Sequence, residues 1–282
     1  MKKFMIGMAL LGSMVATQVF AGEPVSISSG KAGGSYNSQF GVGLAGALGE
    51  FGYSPKLMTS KGSVDNLNKV ASNEAQVGFT QADALMYWTQ SHANEAQGVG
   101  IVGELGKECV FAAVSKNSKI DSEDDIGKGT KIAIGNPNSG SYASWQYLRN
   151  LNKDYAEAKT FAEDGNTTLA KVATGQIDMF VWVAAKDKPN KNLSIVMAKD
   201  SQFRLVALDD WNLNDKLPNG NSVYSFEESI VKENTFKDDT VKAPCTDILV
   251  VVNTAEDNTQ IADDVAGILL TNKSRVAGTT ND

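Results

Sequence analysis

The pattern that most constrains this chain is one it carries twice. Val25-Ser26-Ile27-Ser28-Ser29 reads as a short strand that runs through a glycine-rich turn into Gly34-Ser35-Tyr36-Asn37-Ser38 and a small-residue helix to about Leu48. Lys131-Ile132-Ala133-Ile134 repeats the strand, and Gly140-Ser141-Tyr142-Ala143-Ser144 repeats the turn, opening a helix to about Leu151. A second block follows each copy. Leu67-Asn68-Lys69-Val70-Ala71-Ser72 precedes a strand through Val77-Gly78-Phe79, and Leu169-Ala170-Lys171-Val172-Ala173-Thr174 precedes one through Asp178-Met179-Phe180-Val181. The offset is 106 residues between Gly34 and Gly140 and 102 between Leu67 and Leu169. Two blocks in the same order at nearly one spacing are hard to obtain from βα grammar repeating by accident.

Strands alternating with helical segments predict an α/β chain with a mostly parallel sheet in each half. Ligands of such sheets sit beyond the carboxyl ends of the strands, where loops lead into helices, and both Gly-Ser-Tyr turns fall at that edge. Two similar lobes facing one another across those edges would form a cleft. The expected division is a first lobe of residues 22–112 and 246–282 and a second of residues 113–245, with the apolar segments 110–114 and 248–252 crossing between them as hinge strands.

Lys2 and Lys3, an uncharged stretch over residues 4–17, and Gln18-Val19-Phe20-Ala21 before Gly22-Glu23-Pro24 have the layout of a cleaved secretory signal over residues 1–21. The expected location is periplasmic. Losing Lys2 and Lys3 takes the formal charge from -7 to -9, an acidic balance that excludes a nucleic-acid partner, which needs clustered Lys and Arg. Cys109 and Cys245 form an even pair that an oxidising compartment would join if the fold brings them together. An enzyme is not expected. The single histidine, His92, lies in a polar stretch, and the two cysteines make no C-x-x-C. No cofactor is expected either: Gly41-Val42-Gly43-Leu44-Ala45-Gly46 matches G-x-G-x-x-G in letters but falls inside a predicted helix, where it reads as close helix packing.

Three turns share one design, small residues followed by a hydroxyl at a helix start: Gly33-Gly34-Ser35-Tyr36, Lys61-Gly62-Ser63 and Asn138-Ser139-Gly140-Ser141. A helix start offers unpaired N–H groups and the positive end of the dipole to a carboxylate, although each serine alone reads equally as a cap of its own helix. Lys61 and Lys186 add positive charge, and Tyr36 and Trp182 are candidate walls. No arginine falls in these turns.

The run Gly33-Gly34-Ser35-Tyr36, Lys61-Gly62-Ser63-Val64-Asp65-Asn66-Leu67, Gln81-Ala82-Asp83 and Gly135-Asn136-Pro137-Asn138-Ser139-Gly140-Ser141 resembles the TAXI group of solute receptors of TRAP transporters. The resemblance covers most of the chain. It implies a two-lobed type II periplasmic-binding fold with the ligand cleft between lobes, no catalysis, and a small anionic ligand such as glutamate or another carboxylate. It also implies membrane transporter subunits as partners, and adds Gln81 to the site; the receptor is expected to be a monomer. A ligand-loaded partner of a membrane receptor kinase would use the same cleft. The chain departs from the group at Lys61, where glycine is usual, at Ser141 in place of threonine, and at Ala185-Lys186 in place of Ala-Gly. A final helix is expected over residues 261–270.

Overall fold

The computed structural model describes residues 22–186, 190–213, 215–217, 220–232 and 239–279. The expected secretory signal over residues 1–21 lies outside them. The chain runs through β1 (Pro24–Ser28), a π-helical turn (Tyr36–Gly41) continuing into α1 (Val42–Glu50), β2 (Ser54–Met58), α2 (Ser63–Ala71), β3 (Val77–Gln81) and α3 (Ala82–Thr89). A long strand, β4 (Val99–Ser115), leads to β5 (Lys131–Ala133), α4 (Gly140–Leu151), α5 (Lys153–Glu157), β6 (Lys159–Phe161), α6 (Asn166–Ala173) and β7 (Met179–Ala185). Then come α7 (Lys191–Val196), β8 (Phe203–Val206), β9 (Ser225–Lys232), a second long strand β10 (Asp239–Asn253), and α8 (Thr259–Ala277).

The repeated sequence blocks take the same topology. β1 pairs in parallel with β2 on one side and β3 on the other, and β5 pairs in parallel with β6 and β7 in the same way. The match extends to backbone detail: α2 and α6 are each capped by a glycine with positive φ, Gly62 at 133° and Gly165 at 79°. Each parallel set is covered on both faces, as parallel sheets require. α1 and α8 pack with Val25, Ile27 and Phe79 on one face of the first half, and α2 and α3 bring Leu67, Val70 and Trp88 to the other. In the second half, Trp145, Leu148 and Tyr155 cover one face, and Leu169, Val172 and Val196 the other.

The two halves are joined by the long antiparallel strands. β10 pairs with β3 over Ile248–Val252 and with β9 over Asp239–Cys245, so it belongs to one half at each end. β4 does the same, pairing with β10 from Val99 to Cys109 and with β7 from Glu108 to Val114. The result is a mixed α/β architecture with two lobes hung on one continuous sheet, in the strand order β2-β1-β3-β10-β4-β7-β5-β6. Cys109 and Cys245 are register partners at the crossover and are disulfide-bonded.

Two local features are set by packing across the chain. Gly43 lies inside α1 where a Cβ would stand 2.8 Å from the Cα of Val276, so the glycine-rich run is a helix-packing surface. The contact also accounts for α8 running beyond the expected end at residue 270: Val276 and Ala277 are buried against α1, and the helix reaches them through a break at Asn272 (φ -132°). Arg275 fixes this end with two hydrogen bonds of 2.8 Å to the Glu50 carboxylate.

Replacing both cysteines with alanine should lower the unfolding free energy by about 2 to 5 kcal/mol, because the bond spans 136 residues of chain and constrains the unfolded state accordingly. Chemical denaturation of the oxidised protein and the variant measures this. Thiol titration of the unreduced protein should find neither cysteine free.

Candidate functional site

β1, β3 and β5 all point their carboxyl ends at the gap between the lobes, and the loops leaving them converge there. Gly34, Ser35, Tyr36, Lys61, Gly62, Ser63 and Gln81 from the first half, and Ser139, Gly140 and Ser141 from the second, line one cavity of about 200 Å³. A larger depression of about 520 Å³ lies at the amino ends of β5 and β7, around Thr130 and Asp178 beside the C-terminus of α6. It is remote from every helix start discussed above.

The lobes touch at this point. A Cβ on Gly62 would stand 2.9 Å from the Cα of Ser139 and 3.1 Å from the carbonyl oxygen of Asn138, both backbone atoms of the opposite lobe. Asn138 therefore meets the first lobe through its backbone and does not line the cavity. A Cβ on Gly140 would meet the Gln81 amide. Only glycine permits this approach at position 62, where φ is also in the left-handed region. Behind the contact, Asn150 Nδ2 donates to Gln90 Oε1 at 2.7 Å, Tyr87 and Tyr142 meet edge to face, and Tyr224 donates to Asp83 Oδ2 at 2.8 Å.

The serines divide their roles. Ser139 is a helix cap: its hydroxyl oxygen accepts from Tyr142 N–H at 3.2 Å. Ser141 does not cap. Its Oγ accepts from Val183 N–H at 3.0 Å, which ties α4 to β7 and leaves the hydroxyl proton to donate. Ser63 donates to Gln81 Oε1 and is buried, while Ser35 makes no cap bond at its helix start.

Glu108 is a lining residue that sequence reasoning passed over. It pairs in register with Thr246 of β10 and with Ala185 of β7, so it stands where β4 changes partners, at the cavity floor. It is only 7% exposed. Tyr36 Oη donates to its Oε2 at 2.8 Å. Burial raises its pKa to about 7; the Tyr36 hydroxyl and Gln81 oppose the shift, and the nearby Asp83 carboxylate adds to it. Asp83 is wholly buried, and desolvation lifts it to about 6 against the hydrogen bond from Tyr224. The sequence signal was available: an acid inside a strand, one residue before the Cys109 crossover. Tyr36 itself packs on Phe40 and Phe79 and turns its hydroxyl to Glu108, so its phenol is raised by burial and by that carboxylate.

Trp182 and Lys186 do not join the site. Side chains of a strand alternate between faces, and on β7 Val183 lines the cavity while Trp182, 3% exposed, stacks with Phe111 and Phe180 in the core on the other face. Lys186 pairs with Glu227, which Lys107 also holds at 3.0 Å; these contacts draw the Glu227 pKa down to about 2. Lys31 reaches across the cavity mouth to Asp164 of the second lobe at 3.3 Å. Among the described residues no group of three or more His, Cys, Asp or Glu is placed to hold a metal ion, and no helix is long and apolar enough to cross a membrane.

Two lobes on a shared sheet, paired strands crossing between them, and a cavity at facing helix starts define the two-lobed periplasmic solute-binding fold. The chain belongs to the NMT1-like family, which it matches over residues 27–260. Its fold is similar to that of a Xanthomonas citri protein bound to ATP, with a TM-score of 0.55 at 12% identity over 90% of this chain and 86% of that one. The GluR0 ligand-binding core of Nostoc punctiforme in complex with L-glutamate gives 0.53 at 13% identity over 89% and 95%. The BvgS periplasmic VFT2 domain of Bordetella pertussis gives 0.51 at 11% identity over 90% and 92%.

Gly62→Ala should hold the lobes apart, because the new methyl group meets backbone that cannot move without lobe rotation. Small-angle scattering should show a larger radius of gyration than wild type, with circular dichroism unchanged; an unchanged radius would mean that the contact is absent in solution. A second expectation concerns pH. The Glu108 carboxyl holds its proton to higher pH folded than unfolded, so its burial penalty is absent below about pH 4 and complete above its folded value of about 7. Glu108→Gln should therefore be more stable than wild type at pH 8, by roughly 1 to 3 kcal/mol, with the advantage vanishing toward pH 4. Thermal melts at the two pH values read the difference.

Proposed function

We propose that this chain is an extracytoplasmic solute-binding receptor whose lobes, divided near residues 112/113 and 245/246, close on a small carboxylate-bearing solute and deliver it to a TRAP-type membrane transporter. It acts in the periplasm after loss of residues 1–21 and performs no catalysis. One observation carries this reading: helix-start loops from both copies of the duplicated unit line a single cavity in the seam between lobes. A binder that must capture and release needs its contacts shared between two bodies, so that occupancy and closure are coupled.

The size of the cavity supports a small ligand. About 200 Å³ falls below the roughly 300 to 1,000 Å³ of drug-sized sites. Its mouth supports a carboxylate, with Lys31 and Lys61 at the rim and the dipole end of α4 behind Ser141. The complex of GluR0 with L-glutamate is consistent with a solute of this kind on this fold. The TAXI-like loops of the first half and Gly135–Ser141 motif point the same way.

A thermal-shift screen against amino acids and mono- and dicarboxylates should give a ligand that raises the melting temperature, since binding to the folded state alone stabilises it by linkage. If no solute in the screen shifts the transition, the receptor reading fails. With a ligand in hand, Ser141→Ala should weaken binding roughly 10- to 150-fold, the equivalent of one charge-assisted hydrogen bond. Ser141→Asp should cost more by setting a like charge against the solute. Calorimetry on both variants checks this, and unchanged affinity in the Asp variant would remove Ser141 from the site.

A further inference from the structure

A cleft built only for an anion would not keep an acid at its floor. Glu108 lines the cavity, is 7% exposed, and its backbone is anchored at the point where β4 passes from β10 to β7. A buried carboxylate is normally compensated by a cation. Among the described residues Glu108 has none. The groups that favour its charged form are the Tyr36 hydroxyl and Gln81, and the charge it feels most is that of Asp83, another acid. Of the lysines nearby, Lys107 is engaged with Glu227 and Lys31 with Asp164, while Lys61 is exposed at the rim.

The hydrogen bonds also fix the role of Glu108. Tyr36 donates to Oε2, and Ser63 donates to Gln81 Oε1, which directs the Gln81 amide nitrogen away from Ser63. Donors thus surround the carboxylate, and it serves them as an acceptor. A carboxylate has about four lone-pair positions, so capacity remains toward the cavity. The group that fits there is a donor with positive charge. The same cavity is lined by Gly140 and Ser141 at the start of α4, a helix of 12 residues whose dipole end favours negative charge. One lining thus offers an acceptor for positive charge and a helix start for negative charge, in a space for one small molecule.

We propose that Glu108 is the specificity-determining residue of the cleft: its carboxylate receives the ammonium group of a small zwitterionic solute, an amino acid whose carboxylate faces the α4 start. This rests on the receptor reading above and narrows its ligand. The cleft should therefore reject the 2-oxo and 2-hydroxy acids that share the amino acid's carbon skeleton. Without the ammonium group, Glu108 would face a neutral or electron-rich atom and, above its folded pKa of about 7, remain a buried uncompensated charge.

The test uses matched probes on the mature full chain by calorimetry: L-alanine with pyruvate and L-lactate, L-glutamate with 2-oxoglutarate, and L-leucine with 4-methyl-2-oxopentanoate. In whichever set binds, the amino acid should bind at least about 10-fold more tightly than its partner, the scale of one charge-assisted hydrogen bond. Glu108→Gln keeps the shape and removes the charge; it should weaken the amino acid by roughly 10- to 150-fold and narrow the discrimination. The wild-type comparison stands alone if the variant does not fold. An oxo or hydroxy acid binding as tightly as its amino acid overturns the proposal and leaves the receptor reading intact, as does a ligand without an amino group emerging from the broader screen. Binding of no solute at all removes both.

Discussion

The crossover of β4 and β10 is the constraint from which the rest of the structure follows. Each strand belongs to one lobe at one end and to the other lobe at the other, so the sheet is continuous while the lobes keep separate cores. The disulfide at Cys109 and Cys245 sits at that exchange of partners and fixes the register of the two strands to each other. Away from it the pairing slips twice, between Ile248 and Leu249 and between Val250 and Val251, opposite residues 101–106. Such irregularities increase local twist. The bond therefore pins the floor of the cleft, while the strand segments on the first-lobe side are free to coil.

Pinning the floor makes a buried acid tolerable. Glu108 is adjacent to Cys109, and the side chains that satisfy it, Tyr36 and Gln81, come from loops of the first lobe. Asp83 is held by Tyr224, which lies in the second lobe just before β9. Each acid costs free energy to bury, as their raised pKa values express. That cost is borne at the seam: among the described buried side chains, Asp83 and Glu108 are the only ones of charged type. A fold under pressure only for stability would place an apolar residue at 108.

How much of this was legible in the sequence depends on the range of the interactions. The duplication was visible because βα units are local: strand, glycine turn and helix start lie within some twenty residues, and glycine marks the crowded positions, Gly62 against backbone of the opposite lobe and Gly140 against the Gln81 side chain. Ten of the thirteen residues named for the cleft line one cavity for that reason. Trp182 was misjudged because strand alternation fixes faces only once the register is known, and Val183 is the residue that turns inward. Lys186 looked like a cleft cation until the tertiary fold brought Glu227 beside it. Glu108 was missed for the complementary reason: its neighbours in sequence suggest an ordinary strand, and its burial arises only where two distant strands cross. The end of α8 belongs to the same class, since Val276 becomes apolar packing only through contact with Gly43.

The duplication also explains why the site is chemically asymmetric. Two copies of one unit facing each other would present the same glycine-serine turns and the same helix ends from both sides, a lining suited to one kind of charge. Opposite charge must then come from outside the repeat, and among the described lining residues the crossover strand β4 is what reaches the cavity from outside the repeated unit. Glu108 is the residue it brings there. Placing the acid there separates two tasks: the repeated turns supply donors that both lobes share on closing, while the crossover supplies a charge that does not move with either lobe. Discrimination at Glu108 then precedes closure, because its position depends on the hinge and not on how far the lobes have travelled.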